Sequence, residues 1–123
     1  MEELFITLKQ LMEDELGQAG TPYSAGKFSG IGWLFPPDGD PWLSLKAYPK
    51  TVNIYLFLFF DGKPVASQYT DVFGKSNLGK SCIRIRSLTP AKETALRELL
   101  QISKRKFINN YGLTTRNKKE TDT

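Results

Sequence analysis

Residues 74–86 read GKSNLGKSCIRIR. Residues 74–81 match the phosphate-cradling pattern GxxxxGK[ST] in full. Residues 82–86 decide the fold. A phosphate loop needs a helix beginning at its Lys-Ser pair, because that helix N-terminus supplies the amides and the dipole. Here Lys80-Ser81 runs straight into Cys82-Ile83-Arg84-Ile85-Arg86, which alternates with the period of a strand. The next helix start is Thr89-Pro90, with Thr89 as N-cap and Pro90 at the first helical position. A phosphate loop also sits in a parallel sheet with crossover helices. No helical periodicity is read between residues 18 and 88. The stretch is therefore read as a glycine-bearing entry to a strand, not as a nucleotide site.

The rest of the chain follows from that strand. Leu4, Phe5, Leu8, Leu11, Met12 and Leu16 recur at spacings of three and four, which predicts an amphipathic helix over residues 2–17. Residues 18–29 are rich in Gly, Ser and Thr and read as a loop. Strands are predicted over 31–35, 42–48 and 52–60, with Asp38-Gly39-Asp40 and Pro49-Lys50-Thr51 as turns between them. Short turns make the neighbours antiparallel. Asp61-Gly62-Lys63-Pro64 is a further turn, and residues 65–73 read as strand or irregular chain. Ala95, Leu96, Leu99, Leu100, Ile102 and Phe107 stripe a second helix ending near Asn109-Asn110. Each helix has one apolar side to bury, so both lie on one face of an antiparallel sheet. The fold class is α+β, a two-layer sandwich. The domain is expected over residues 1–112, with 113–123 as a polar tail.

Composition narrows the chemistry. The sequence of 123 residues suits one domain. It holds no histidine and one cysteine, Cys82. Ser-His-Asp and Cys-His catalysis, His-ligated metals, an internal disulfide and a four-thiolate cluster are thereby excluded within the chain. Cys82 has cations around it but no base, and reads as a small buried apolar residue. The apolar run 54–60 is far too short for a membrane span, and the N-terminus is acidic where a secretion signal is basic. A cytoplasmic protein with no membrane partner is expected. The net charge is +4, and Lys104, Arg105, Lys106, Arg116, Lys118 and Lys119 crowd the C-terminal end. They read as a solvated helix end and tail, with nucleic-acid binding as the alternative.

One surface stands out as a candidate site. Strand alternation turns Ile83 and Ile85, and likewise Val52, Ile54, Leu56 and Leu58, toward the helices. It places Trp42, Lys46, Tyr48, Tyr55, Lys80, Arg84 and Arg86 on the other side of the sheet. Aromatic rings beside cationic groups suit a small planar or anionic ligand, or the stacked bases of a single-stranded nucleic acid. The competing reading is a second hydrophobic layer, covered by residues 61–80 or by a second copy in a homodimer. No catalytic constellation is found, so a non-enzymatic binding protein is expected.

Residues 79–86 with the helix after them resemble the closing strand and helix of the YdhG-like, frataxin-like bacterial domains. The hairpin Lys46-Ala47-Tyr48-Pro49-Lys50-Thr51-Val52-Asn53-Ile54-Tyr55 is similar to that family's central one. The resemblance covers about residues 1–110. It implies an α+β fold with two helices on one sheet. It also implies iron as a ligand, handed on to iron–sulfur cluster assembly and bound through carboxylates. The positions matching the family's acidic first helix are Glu2, Glu3, Glu13, Asp14 and Glu15, and Glu13, Asp14 and Glu15 are the candidate metal ligands.

Overall fold

The computed structural model describes the backbone of residues 2–34, 41–56 and 58–111, and the side chains of these except at 41, 42 and 107–111. A first helix, α1 (Glu2–Leu16), buries Leu8, Leu11 and Met12, with Leu4, Phe5 and Leu16 partly covered. Four strands follow: β1 (Thr21–Ala25), β2 (Phe28–Leu34), β3 (Pro41–Ala47) and β4 (Val52–Leu56). A small hairpin, β5 (Phe59–Phe60) and β6 (Lys63–Pro64), leads into a 3-10 turn over 65–69, a short α2 (Thr70–Phe73) and a second 3-10 turn over 75–77. The chain closes with β7 (Cys82–Ile85) and α3 (Pro90–Tyr111). Thr89 caps α3 as expected: its Oγ1 accepts from the Lys92 amide at 3.2 Å.

The main sheet has five strands in the order β1-β2-β3-β4-β7, and every pairing is antiparallel. On its inner side Leu45, Ile54 and Ile83 stand in one cross-strand row, and all three are at most 1% exposed. Helices α1 and α3 pack on each other and close over that row with Leu8, Met12, Leu96, Leu99 and Leu100. This is the two-layer α+β sandwich that the two apolar stripes require.

The structure corrects three local readings. Residues 18–29 are not a loop, because β1 and the first part of β2 form a hairpin around Gly26-Lys27. β1 has almost no apolar side chain to bury, so it carries no period-2 signal. The strand expected over 52–60 is not continuous: Leu58, between β4 and β5, belongs to no strand. Asp61 and Gly62 then turn the chain with φ of 55° and 75°, the two positive values a tight two-residue hairpin turn needs. Residues 65–77 are helical turns, although no helix was expected between 18 and 88. Each piece is too short to show a 3.6-residue period. They are fixed by tertiary packing: Val65, Ala66 and Phe73 join the core beside α3. Phe35 and Phe57, the turn at 38–40 and the tail from 112 lie outside the described residues.

Both sheet edges are blunted. β1 is short, polar and carries Pro22, which lacks the donor a further strand would need. At the other edge Leu78 pairs with Ile83, and the Gly79 amide donates to the Cys82 carbonyl at 2.9 Å. The former phosphate-loop match is thus a 3-10 turn over 75–77 followed by a tight reverse turn from Gly79 into β7, with no helix at Lys80-Ser81.

Candidate functional site

The outer side of the sheet, away from the helices, collects most of the side chains singled out by alternation. The register sets Tyr55 between Ser44 and Cys82, and Asn53 between Lys46 and Arg84. Tyr48 follows directly on β3 and is 37% exposed. Trp42 lies on β3, but its side chain is outside the described residues. Residues 65–73 pack beside α3 and do not cover this face.

β1 and β2 contribute residues that the reading of 18–29 as a loop had hidden. Tyr23 and Phe28 stand on the same face, their ring centres 6.2 Å apart. Phe28 meets the Tyr55 ring edge-on at 5.3 Å. It can do so because Gly30 has no side chain. A Cβ there would lie 3.0 Å from Phe28 Cζ and 2.5 Å from the Leu45 carbonyl oxygen. The signal for this was Gly-x-Gly at residues 30–32 inside a strand, which marks a close approach of other atoms.

Lys46 holds the centre. Its Nζ lies 5.4 Å from the centroids of both the Phe28 and the Tyr48 rings, within the range where the ring quadrupole attracts a cation. Among the described residues no carboxylate lies within salt-bridge distance of Lys46, Arg84 or Arg86. Beside Lys46 runs a polar chain. Thr51 Oγ1 donates to Asn53 Oδ1 at 2.8 Å, Asn53 Nδ2 donates to Tyr55 Oη at 3.4 Å, and Tyr55 Oη shares a hydrogen bond with Tyr48 Oη at 2.9 Å. That hydroxyl pair, with a smaller contribution from burial, pushes the Tyr48 phenol up to about 12. The protonated form is the stabilised one, so its contribution is whole below the unfolded value near 10 and is lost as the pH rises toward 12. Absorbance-detected titration should show Tyr48 ionising late, alongside Tyr69, whose phenol is raised by burial and its bond to Glu98, and Tyr55→Phe should bring Tyr48 forward and leave Tyr69 late. An unchanged curve in that variant would break the assignment.

The remaining candidates take other positions. Arg86 donates to Asn77 Oδ1 at 2.6 Å and Arg84 to the Ser76 carbonyl at 3.4 Å, so both guanidinium groups lean on the turn at 75–77. Lys80 is exposed in the reverse turn, off the strand. Cys82 is half-buried on the outer face rather than fully buried, and a Cβ on Gly79 would approach its Sγ to 2.8 Å.

The three candidate metal ligands separate. Glu13 accepts from Lys9 Nζ at 2.8 Å and from the Gly20 amide at 2.9 Å, and those bonds hold its carboxyl below the usual range. Glu15 accepts from Gln101 at 2.7 Å and from Arg97 at 2.6 Å, with the same effect. Asp14 takes a bond from Gln10 at 2.9 Å on the exposed side. Consecutive helical positions fan about 100° apart, and each carboxylate finds its own partner. Among the described residues no group of three or more His, Cys, Asp or Glu is arranged to hold a metal ion, and no described helix is long and apolar enough to cross a membrane.

Fold and site together define a two-layer α+β sandwich whose outer sheet face gathers aromatic and cationic side chains, with residues 76–79 against its β7 edge and no described helix packed over Lys46 and Tyr48. Comparison with protein-family models, with curated proteins and with solved structures gave no match.

Proposed function

We propose that this chain is a small binding protein of the kind its resemblance to YdhG-like domains implies, and that the outer sheet face receives a planar, anionic ligand. The observation that carries the reading is Lys46. Its ammonium group is held between two rings at 5.4 Å, beside a tyrosine pair, with no described carboxylate to neutralise it. An anion there gains the Lys46 charge, and a planar body gains ring contact. The two tyrosine hydroxyls and the Asn53 amide fix orientation. Among the described residues the face offers no carboxylate or imidazole to act as a general base, which favours binding over turnover.

Salicylate and adenosine monophosphate are suitable planar anionic probes. Titration with either, followed by NMR, should move the ring signals of Tyr48 and Tyr55. Lys46→Ala should weaken binding about tenfold, the loss of roughly 1.4 kcal/mol. Signals that move only on α1 and α3, with Tyr48 and Tyr55 unchanged, would dismiss the reading.

A further inference from the structure

The charge of this molecule is divided between its layers. The described segments that build the sheet and its turns, residues 18–34, 41–56 and 78–88, contain Lys27, Lys46, Lys50, Lys80, Arg84 and Arg86, and no Asp or Glu. The helix layer holds Glu2, Glu3, Glu13, Asp14 and Glu15 on α1 and Glu93 and Glu98 on α3, and three of these, Glu13, Glu15 and Glu93, are paired with Lys9 or Arg97. Among the described residues of the sheet layer no carboxylate offsets the six cations; Asp38 and Asp40, between β2 and β3, lie outside them.

The cations are also placed in a line. The strands alternate in direction, so the turn at Gly26-Lys27, the turn at residues 48–51 and the end of β7 lie at the same end of the sheet. Lys27, Lys50 and Arg86 mark that end. One residue row in from it, Lys46 and Arg84 flank Asn53. Five strands at their ordinary spacing make this band about 19 Å across. Tyr23, Phe28, Tyr48 and Tyr55 stand within it. A single small anion would use one or two of these cations. A band of them, interleaved with rings, matches a ligand whose charges and planes repeat.

We infer that the outer sheet face binds single-stranded nucleic acid, its phosphates following Lys27, Lys46, Lys50, Arg84 and Arg86 and its bases stacking on Tyr23 and Tyr48. The inference rests on the planar-anion reading of the same face and names its ligand class. Exposed rings accept any base by stacking, and a cationic groove tracks the backbone without reading sequence. Both sheet edges are blunted, so the strand lies across the face and does not add to the sheet. A duplex keeps its bases stacked inside and offers nothing to Tyr23 and Tyr48.

The test is fluorescence anisotropy with a labelled oligothymidylate about twelve nucleotides long, within the span that single sheet surfaces of this kind occupy. Binding should be tighter than that of thymidine monophosphate, and tighter than that of a duplex of equal length. Neutralising about three phosphates on a single strand should give a log–log salt slope of about −2. Arg84→Ala should flatten that slope, and Tyr48→Ala should weaken binding about fivefold or more through lost stacking. Arg105→Ala, an equal charge change on the exposed side of α3, should leave both unchanged. Four results would overturn the inference: no gain of the oligomer over the monomer, a flat salt response, equal or tighter duplex binding, or equal sensitivity to Arg105→Ala. If salicylate or adenosine monophosphate still bound at Lys46, only the nucleic-acid inference would fall. If neither bound there, the planar-anion reading would fall with it.

Discussion

Leu45→Ala should cost about 2–5 kcal/mol of unfolding free energy, the range for emptying a fully enclosed leucine site. Leu45 is 0% exposed and sits in the row with Ile54 and Ile83 where sheet and helices meet. The helix across the layer from β3 is α1, whose Leu8 and Met12 are each 0% exposed. None of these groups can move into the vacated space without uncovering another, because each is held by its own strand register or helix position. The cost therefore includes the cavity as well as the lost transfer energy. Urea unfolding is the measurement, and the midpoint should fall while the m-value holds. Leu45→Met, which conserves volume, should cost less than about 1.5 kcal/mol. A loss under about 1 kcal/mol for the alanine variant would mean that this row is not closed by the helices.

Gly30→Val should destabilise by about 1–3 kcal/mol, the usual cost of forcing atoms into an occupied space. The sign is the informative part. Valine favours strands and glycine weakens them, so strand propensity alone predicts a gain. The geometry predicts the reverse, because a Cβ at residue 30 meets the Leu45 carbonyl oxygen at 2.5 Å and Phe28 Cζ at 3.0 Å. Backbone on one side cannot give way, so the Phe28 ring must lift. That ring touches Tyr55 edge-on at 5.3 Å and lies under the Lys46 ammonium. The variant should thus lower the thermal midpoint and also shift the ring signals of Phe28 and Tyr55. Ser29→Val, at the exposed neighbouring position, should change stability by no more than about 0.5 kcal/mol. A stabilised Gly30→Val protein would show that the sheet relaxes freely there.

Legibility of the site varied with how far each signal was local. Lys46, Tyr48, Tyr55 and Arg84 were placed on one face by alternation within single strands, and the register brings them together as cross-strand neighbours. Tyr23 and Phe28 were missed, because Gly30 and Gly32 interrupt the apolar pattern of β2 and the hairpin before it is polar. Gly30 also makes room for the Phe28 ring. Arg84 and Arg86 alternate correctly, yet both side chains bend to residues 76 and 77, whose position no local pattern could give.

The sequence by itself determined the layers. Two helices striped at 3.6 residues and strands alternating at 2 leave only one economical way to bury their apolar sides, and residues 82–86 ruled out the nucleotide loop that residues 74–81 suggest. The tertiary structure alone decided the course of residues 65–77 and the cross-strand assembly of the outer face. Short helical turns such as 65–69 and 70–73 hold too few hydrogen bonds to stand alone, so contact with α3 sets where they lie. That placement keeps residues 65–73 off the far side of the sheet, where Lys46 lies beside its two rings.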